Sequence, residues 1–270
     1  MVALNISMKL AYRGYIYEAE DIPETITVGK KNLPTRNSLG SYIHPTLQGI
    51  SNFWKWFGNS KVIDEQGRPR VVYHGTGKDF EEFSIDMGVG KNKGGGAFFT
   101  SSRDVAATYA PGVNGGNVMP VYLKLENPVV LDAGGSNWNR LRGKSKIKIP
   151  GKTIPKPEVD ELYLELGGNP DNLKETKIKP QSTNLKKLFP GEFDYDDDYA
   201  STDDLVKWAR KESHRGIIFK NVKDQGPAGV HANEESAKPM DEFVVFNPEW
   251  IKSALGNSGV FGDGKNINAE

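Results

Sequence analysis

Apolar residues in this sequence are gathered into short runs of four to seven residues. Runs of this length, bounded by glycine, proline and polar residues, are typical of β-strands. The predicted strands are Arg70–His74, Ala97–Thr100, Met119–Leu125, Gly216–Val222 and Phe243–Phe246. Because the helical segments between them are few and irregularly spaced, the sequence predicts an α+β fold rather than a regular β-α-β array.

Helical periodicity occurs in three places between these strands, and a short fourth segment follows them. An amphipathic helix is predicted from Thr46 to Gly58, with large apolar residues on one face. A second helix is predicted after Ser101 and a third after Thr202, since serine and threonine hydroxyls cap free backbone amides. The short segment Pro248–Leu255 is also expected to be helical.

The chain of 270 residues is predicted to consist of an N-terminal arm and one larger domain. Residues 1–45 form the predicted arm, with a hairpin within 9–20 and a polar, turn-rich linker at 25–42. Residues 46–270 form the predicted domain. The stretch 133–201 is polar and is expected to be an irregular insertion over the core of that domain.

Composition and charge exclude several classes of function. The chain has no cysteine, so disulfides, zinc–thiolate sites, iron–sulfur clusters and thiol catalysis are excluded. Its four histidines show no metal-binding spacing, and no metal is expected. Lys plus Arg (35) equals Asp plus Glu (35), which argues against a protein that coats DNA. The sequence shows no secretory signal and no run near the roughly 18 apolar residues of a membrane span, so we expect a cytoplasmic protein with no membrane partner.

A glycine-rich run at 88–96, Gly-Val-Gly-Lys-Asn-Lys-Gly-Gly-Gly, has the composition of a phosphate-binding loop without its spacing. It also precedes a predicted strand, whereas a phosphate-binding loop opens a helix. The run is therefore either flexible backbone beside a ligand cleft or a plain mobile loop.

Three segments carry residue types that suit a flat, charged ligand. His74 ends a strand and is followed by Gly75, so a ring nitrogen and a bare backbone could contact one ligand. Phe98 on a strand and Tyr109 on the next helix could sandwich a heterocycle. Glu242 opens an apolar strand and could face a cleft. Taken singly, each segment has an ordinary alternative: a structural histidine, core aromatic residues and an exposed charge at a strand edge.

In this order and spacing, the segments resemble the histidine–tyrosine–glutamate signature of diphtheria-toxin-like ADP-ribosyltransferases, which include the catalytic domain of poly(ADP-ribose) polymerases. His74-Gly75-Thr76 resembles the family's His-Gly-Ser/Thr, and Gly96–Ser101 resembles its Gly-x-Tyr-Phe-x-[Asp/Ser] strand. Asp241–Phe246 resembles its Asn-Glu-Tyr-Ile-Val-Tyr strand. The flanking text, such as GIIFKNVKD and VVFNPEWIKSALGN, is most similar to the ADP-ribosyltransferase domains of phage and mobile-element polyvalent proteins.

The resemblance implies a fold, a substrate and a set of site residues. The implied fold has a split, mainly antiparallel β-sheet with flanking helices, and the implied substrate is NAD+. Catalysis is assigned to Glu242, His74 and Phe98, where Phe98 replaces the family's usual tyrosine. NAD+ binding is assigned to His74, Gly75, Thr76, Phe98 and Tyr109.

The activity implied by the resemblance is mono-ADP-ribosyl transfer to a macromolecular acceptor, as in an effector or toxin of a phage or mobile element that is delivered into another cell. Two alternatives are a degenerate, virion-associated protein that keeps an NAD pocket, and an NAD glycohydrolase. The loop Asp224–Met240 is expected to contact the acceptor, and Met240 makes arginine a less favoured acceptor residue. Charge balance favours a protein over a nucleic acid, and the oligomeric state is left open. A basic cluster is either solvated and balanced by the acidic run 194–198 or a docking surface; it comprises Arg140, Arg142, Lys144, Lys146 and Lys148.

Overall fold

The structure, a computed structural model, describes residues 9–12, 15–18, 21–85, 95–110, 116–154, 176–189, 199–224, 226 and 238–268. The first strands are β1 (Lys9–Tyr12), β2 (Tyr15–Glu18), β3 (Thr25–Val28), β4 (Lys31–Pro34), β5 (Val72–Thr76), β6 (Ala97–Thr100), β7 (Asn117–Leu123) and β8 (Val129–Asp132). The later strands are β9 (Leu141–Arg142), β10 (Lys146–Ile149), β11 (Lys152–Ile154), β12 (Thr176–Ile178), β13 (Gln181–Asn184), β14 (Tyr199–Ala200), β15 (Gly216–Val222), β16 (Met240–Val245) and β17 (Ile251–Ser253). The helices are α1 (Leu47–Phe57), α2 (Arg103–Thr108), α3 (Leu185–Leu188) and α4 (Thr202–Lys211), with a 3-10 turn at Pro248–Trp250.

The central sheet has nine strands, in the order β13-β10-β8-β15-β16-β6-β5-β7-β17. Every pair in it is antiparallel except β15 with β8, which is parallel. The five strands predicted from the apolar runs are β5, β6, β7, β15 and β16, and they are neighbours at its centre. The predicted α+β class with a mainly antiparallel sheet is confirmed.

The sheet is split between β5 and β6. These two strands are paired at one position, Tyr73 opposite Thr100, while β5 continues along β7 and β6 continues along β16. If the antiparallel register continued, Gly75 would lie opposite Phe98, but the strands have separated there. The split therefore opens between two residues that the sequence predicts to contact the same ligand.

The two faces of the sheet carry separate apolar cores, because side chains alternate along each strand. One face holds a single core that includes Phe99, Val121 and Phe243. The opposite face holds two cores. Helix α1 covers the β5–β7 end around Tyr122, and α4 covers the β8–β15 end around Phe219. The middle of this second face, at β6 and β16, lies between the two helical layers.

Helix α1 confirms the sequence prediction at both ends. The Thr46 hydroxyl accepts the N–H of Gly49 at 3.1 Å, and Gly58 ends the helix with a positive φ of 60°. The linker predicted at 25–42 is wrong, because β3 and β4 form a hairpin there. The hairpin packs on the α1 core, and the indole N–H of Trp54 donates to the carbonyl of Pro34 at 2.9 Å. The division into arm and domain stays a prediction.

The stretch 133–201 contributes to the core rather than lying irregularly over it. Its strands β10 and β13 extend the central sheet, and Leu141, Ile147 and Leu185 are fully buried. Each of these apolar residues is isolated between basic or polar neighbours in the sequence, so no long apolar run marks them. The acidic run 194–198 and the glycine-rich segment 86–94 lie outside the described residues.

Three predicted helix boundaries need correction. Ser102 rather than Ser101 caps α2, and Ser201 rather than Thr202 caps α4. In each case a neighbouring hydroxyl competes for the same role. The helix predicted at Pro248–Leu255 is a single 3-10 turn followed by β17, which pairs with β7.

No helix within the described ranges is both long enough and apolar enough to cross a membrane.

Candidate functional site

Strand register places one carboxylate within a row of mostly apolar side chains. Directly opposed residues on neighbouring strands point to the same face of a sheet. Through successive pairings the row is Tyr73, Thr100, Glu242, Phe219, Leu131 and Ile147. The register of β16 thus buries Glu242 in the middle of the face, between the α1 core and the α4 core.

The carboxyl group of Glu242 is buried without full hydrogen bonding. The residue is 5 % exposed, and its Oε1 atom has no hydrogen-bond partner among the residues that the structure describes. Burial raises the pKa of Glu242 well above its ordinary value, and the charges of Asp224 and Asp241 raise it further, while a hydrogen bond from Thr100 lowers it. A carboxyl group in this setting is stabilised as an anion by any ligand that brings positive charge or a donor.

Tyr109 follows the last turn of α2 and joins the site to a second carboxyl group. Its hydroxyl donates to both oxygens of Asp224, at 2.9 Å and 3.0 Å. Asp224 is buried, and its Oδ1 also accepts the N–H of Gly226 at 2.9 Å. Burial raises the pKa of Tyr109, and the charges of Asp224 and Glu242 raise it further, so the phenol remains a donor. Although its hydroxyl is held, Tyr109 is 38 % exposed.

His74 borders the split from the β5 side. Its Nδ1 lies 2.8 Å from the carbonyl oxygen of Phe98, across the opening. Burial lowers the pKa of His74, so the ring is neutral at pH 7. Because a carbonyl oxygen only accepts, the ring proton is on Nδ1, and Nε2 is left as an acceptor. The ring packs edge-on against Phe83 at 5.0 Å and lies within 6.1 Å of Phe80 and 5.6 Å of Phe99.

Gly75 allows α2 to pack directly on β5. A Cβ atom at this position would lie 1.7 Å from the backbone oxygen of Ala106 and 3.1 Å from the Cβ of Tyr109. Only glycine permits this approach, which brings Tyr109 to the split. The next residue, Thr76, accepts the N–H of Lys78 through its hydroxyl at 3.1 Å.

Phe98 lies on the same face of the sheet as Glu242, since it alternates with Thr100 along β6. It is half-buried, and within the described part of the chain its ring contact is an edge-to-face one with Trp138 at 6.1 Å. The ring therefore does not stack on that of Tyr109. The two aromatic side chains predicted to flank a ligand therefore do not cover each other's ring faces.

Comparison with protein families gives a match over most of the chain. The model of a family described as ADP-ribosyltransferase in polyvalent proteins matches residues 64–261. The chain belongs to this family. The activity of this family is ADP-ribosyl transfer, for which NAD+ is the substrate. The resemblance expected from the sequence is confirmed. Comparisons with curated proteins and with solved structures found no significant match.

In this ADP-ribosyltransferase the split in the sheet gathers the predicted site residues. Glu242 and Phe98 lie on one face, His74 reaches Phe98 across the opening, and Gly75 brings Tyr109 close enough to act electrostatically on Glu242. Thr76 lies at the end of β5. The roles assigned to these residues stay predictions, but their common position follows from strand register and the packing of α2.

Two residues of the site were missed at the level of sequence. Thr100 lies opposite Glu242, and Asp224 binds Tyr109. Alternation along β6 could have indicated Thr100, because it shares a face with Phe98. Asp224 was predicted only as the first residue of the acceptor loop, because an acidic residue two positions before a glycine is typical of an ordinary turn.

Within the described ranges, no group of three or more His, Asp or Glu side chains is placed to hold a metal ion.

Proposed function

We propose that this ADP-ribosyltransferase transfers a single ADP-ribose from NAD+ to a macromolecular acceptor and releases nicotinamide. The observation that carries the proposal is the buried, incompletely hydrogen-bonded carboxyl group of Glu242 beside an opening in the sheet. A protein that only stored NAD+ would gain nothing from keeping a carboxylate there, because burial of the charge destabilises the fold.

Glu242 acts on the ribose that is attached to nicotinamide. In the reaction the bond between C1′ and the ring nitrogen breaks, and its electron pair stays on nicotinamide, which becomes neutral. Positive charge then develops on C1′ and the ring oxygen of the ribose. The carboxylate of Glu242 stabilises that charge and accepts a hydrogen bond from the 2′-hydroxyl. An acceptor nucleophile bonds to C1′ and loses its proton.

His74 and the aromatic side chains hold NAD+ in place. The free Nε2 of neutral His74 suits a hydroxyl donor, such as the ribose on the adenine side. Gly75 contributes its backbone to the carboxamide, with Thr76 next to it, and Phe98 and Tyr109 flank the nicotinamide ring. The cationic ring of NAD+ is attracted to aromatic faces. Phe98 supplies a face without the hydroxyl that the family's usual tyrosine carries.

A protein is favoured over a nucleic acid as the acceptor, because the net charge of the chain is zero. Met240 lies two residues before Glu242, and its sulfur is 3.4 Å from the hydroxyl oxygen of Thr100. It provides no carboxylate or amide for a guanidinium group, so arginine is disfavoured. The predicted acceptor loop falls mostly on 227–237, outside the described residues. A role as an effector or toxin in the cytoplasm of a target cell is part of the same proposal.

The test is incubation of the full chain with NAD+ labelled on its adenylate, together with host protein, RNA or DNA. Label on protein with release of nicotinamide is the expected result. Label on nucleic acid would change the acceptor class, and free ADP-ribose would identify an NAD glycohydrolase. NAD+ binding without nicotinamide release would identify a degenerate protein and contradict the proposal.

If a nucleic acid is labelled, the basic cluster becomes the first surface to test. Its five members are exposed: Arg140, Arg142, Lys144, Lys146 and Lys148. Label transfer that falls steeply with salt would then indicate phosphate contacts.

A further inference from the structure

Asp224 is a buried carboxyl group that the reaction above does not use. It is 6 % exposed and lies close enough to Glu242 to raise its pKa. Burial raises the pKa of Asp224, while the hydrogen bonds from Gly226 and Tyr109 lower it and so favour the anion. An asparagine could accept from Tyr109 and Gly226 at much lower cost. The charge of Asp224 therefore calls for an explanation beyond filling space.

The bonding pattern connects that charge to the aromatic ring of Tyr109. Both oxygens of Asp224 accept from the Tyr109 hydroxyl, which fixes the ring about its two side-chain torsions. A phenol that donates to an anion gains electron density on its ring. Its face then attracts a cation more strongly. The hydroxyl end of Tyr109 is thus held in the protein while the residue as a whole is 38 % exposed.

The same segment of chain is fixed against α2 at a second point. A Cβ at Gly226 would lie 2.2 Å from the hydroxyl oxygen of Thr108, so the backbone beyond β15 packs closely on the helix end. Asp224 is therefore held by its own short turn and by α2 at once. A carboxylate that is immobilised in this way can orient its partner without a large entropic cost.

We propose that Asp224 is a positioning residue that fixes Tyr109 as one wall of the nicotinamide site and selects the cationic ring of NAD+ over the neutral ring of nicotinamide. The inference rests on the proposed function. It divides the site between two carboxylates: Asp224 acts through Tyr109 on the ring, and Glu242 acts on the ribose. When the glycosidic bond breaks, the ring becomes neutral and loses this attraction, which favours its departure.

The experiment measures binding of NAD+, ADP-ribose and nicotinamide to the full chain by calorimetry. Variants are Asp224→Asn, Tyr109→Phe and the double variant. We expect NAD+ affinity to fall about 5- to 30-fold in each single variant, the range of a desolvated cation–π contact. ADP-ribose lacks the nicotinamide ring, so its affinity changes less than twofold, and nicotinamide affinity falls less than that of NAD+. The double variant is no weaker than the singles, because each single variant already removes the same hydrogen bond from the Tyr109 hydroxyl to a charged carboxylate.

Steady-state kinetics give a second readout. Asp224→Asn is expected to raise KM for NAD+ by a similar factor while kcat changes less, whereas a residue that acts on the transition state lowers kcat. The matched control is Asp132→Asn. Asp132 also accepts an amide and a backbone N–H, from Asn221 and Gly134, but it is exposed on the opposite face of the sheet. Its ligand affinities stay at wild-type values.

Several outcomes would overturn the inference. Equal losses for NAD+ and ADP-ribose, or additive losses in the double variant, would show that Asp224 only supports the fold. If Asp224→Asn does not fold, Tyr109→Phe decides, since it keeps the ring and removes only the hydroxyl; unchanged NAD+ affinity there refutes the inference. A wild-type chain that binds no NAD+ would refute the proposed function itself. Wild-type turnover combined with wild-type affinity in Asp224→Asn would refute the role of Asp224 alone.

Discussion

His74 on β5 and Glu242 on β16 lie on opposite sides of the split in the sheet, and burial moves the pKa of each toward its neutral form. For His74 the neutral form is the useful one. Its Nδ1 is bonded to the Phe98 carbonyl, and its ring is packed among aromatic side chains. For Glu242 the proposed role needs the anion, which burial disfavours. The proposed binding side is therefore formed in advance, whereas the carboxylate on the proposed catalytic side would be stabilised by a cationic substrate.

The largest effect is expected from a substitution on the side of the split that is proposed to be catalytic. Glu242→Gln removes the charge that stabilises the developing oxocarbenium ion, so we expect kcat to fall on the order of 100- to 1000-fold. NAD+ affinity should change little, because the charge acts chiefly in the transition state. Nicotinamide release and calorimetric binding measure the two quantities. Asp132→Asn is the control, since Asp132 is an exposed carboxylate on the opposite face of the same sheet. Turnover at the wild-type rate in Glu242→Gln would remove this residue from the mechanism.

A change on the binding side should have the opposite signature. His74→Ala removes the Nε2 acceptor for a ribose hydroxyl and leaves the Phe98 carbonyl without its donor. We expect NAD+ affinity to fall about tenfold, the value of roughly 1.4 kcal/mol for one hydrogen bond in a buried site. The expected loss appears in KM more than in kcat. His214→Ala, at the end of α4, serves as the control. A loss confined to kcat would mean that the two sides of the split do not divide the work in this way.

Substitutions at Phe98 test whether the absence of the tyrosine hydroxyl at this position affects NAD+ binding. Phe98→Ala should weaken NAD+ binding by up to about tenfold through lost stacking, while Phe98→Tyr keeps the ring and should be tolerated. Affinity for NAD+ and for nicotinamide, measured on both variants, checks this. If the alanine variant binds NAD+ as well as wild type does, Phe98 serves only the core contact with Trp138.

The smallest expected effect concerns stability, and its sign follows from the raised pKa of Glu242. In the unfolded chain this group ionises near its ordinary value of 4.5, whereas in the fold it resists ionisation. Its contribution to stability is therefore full at low pH and is lost as pH rises through the folded-state pKa. Relative to wild type, Glu242→Gln should be equally stable near pH 4.5 and more stable at pH 8.

Thermal denaturation at several pH values measures that difference. A gain of about 1 kcal/mol at pH 8 would appear as a rise of roughly 2–4 °C in Tm. Besides burial, the pKa of Glu242 is raised by the charges of Asp224 and Asp241 and lowered by the hydrogen bond from Thr100. A variant that is less stable than wild type at pH 8 would show that the carboxylate is well accommodated, and the contrast with His74 would disappear.

The central strands of the sheet were the part of the fold that the sequence predicted well, because short apolar runs are typical of buried strands. The family motifs also indicate Glu242, His74 and Phe98, which border one opening in the sheet, and their roles stay predictions. The hairpin of β3 and β4 was missed because each strand has four residues, half of them polar, so the alternation in Thr25–Val28 is very short. Its apolar residues pack on the α1 core, and that packing leaves no signal within the strands themselves.

Asp224 was missed for a related reason. Nothing near it in the sequence indicates Tyr109, which lies 115 positions away, and only the packing of α2 on Gly75 brings the two side chains together. The polar strands β10 and β13 show the same limit. Ile147, the buried residue of β10, is flanked by lysines. Over so few residues, the alternation of apolar and charged side chains resembles the sequence of a solvated loop.

The position of β16 at the middle of the sheet has a consequence for how the chain acquires its activity. This strand comes late in the sequence, yet it separates β15 from β6. Until it is inserted, both neighbours present open edges, and the pairing of β16 with β6 needs contacts between residues far apart in the chain, which slows folding. Because Glu242 is carried on this strand, its carboxyl group reaches its buried position only when β16 has paired with both neighbours. A nascent or partly folded chain would hold the pieces of an NAD+ site and still be unable to cleave the dinucleotide.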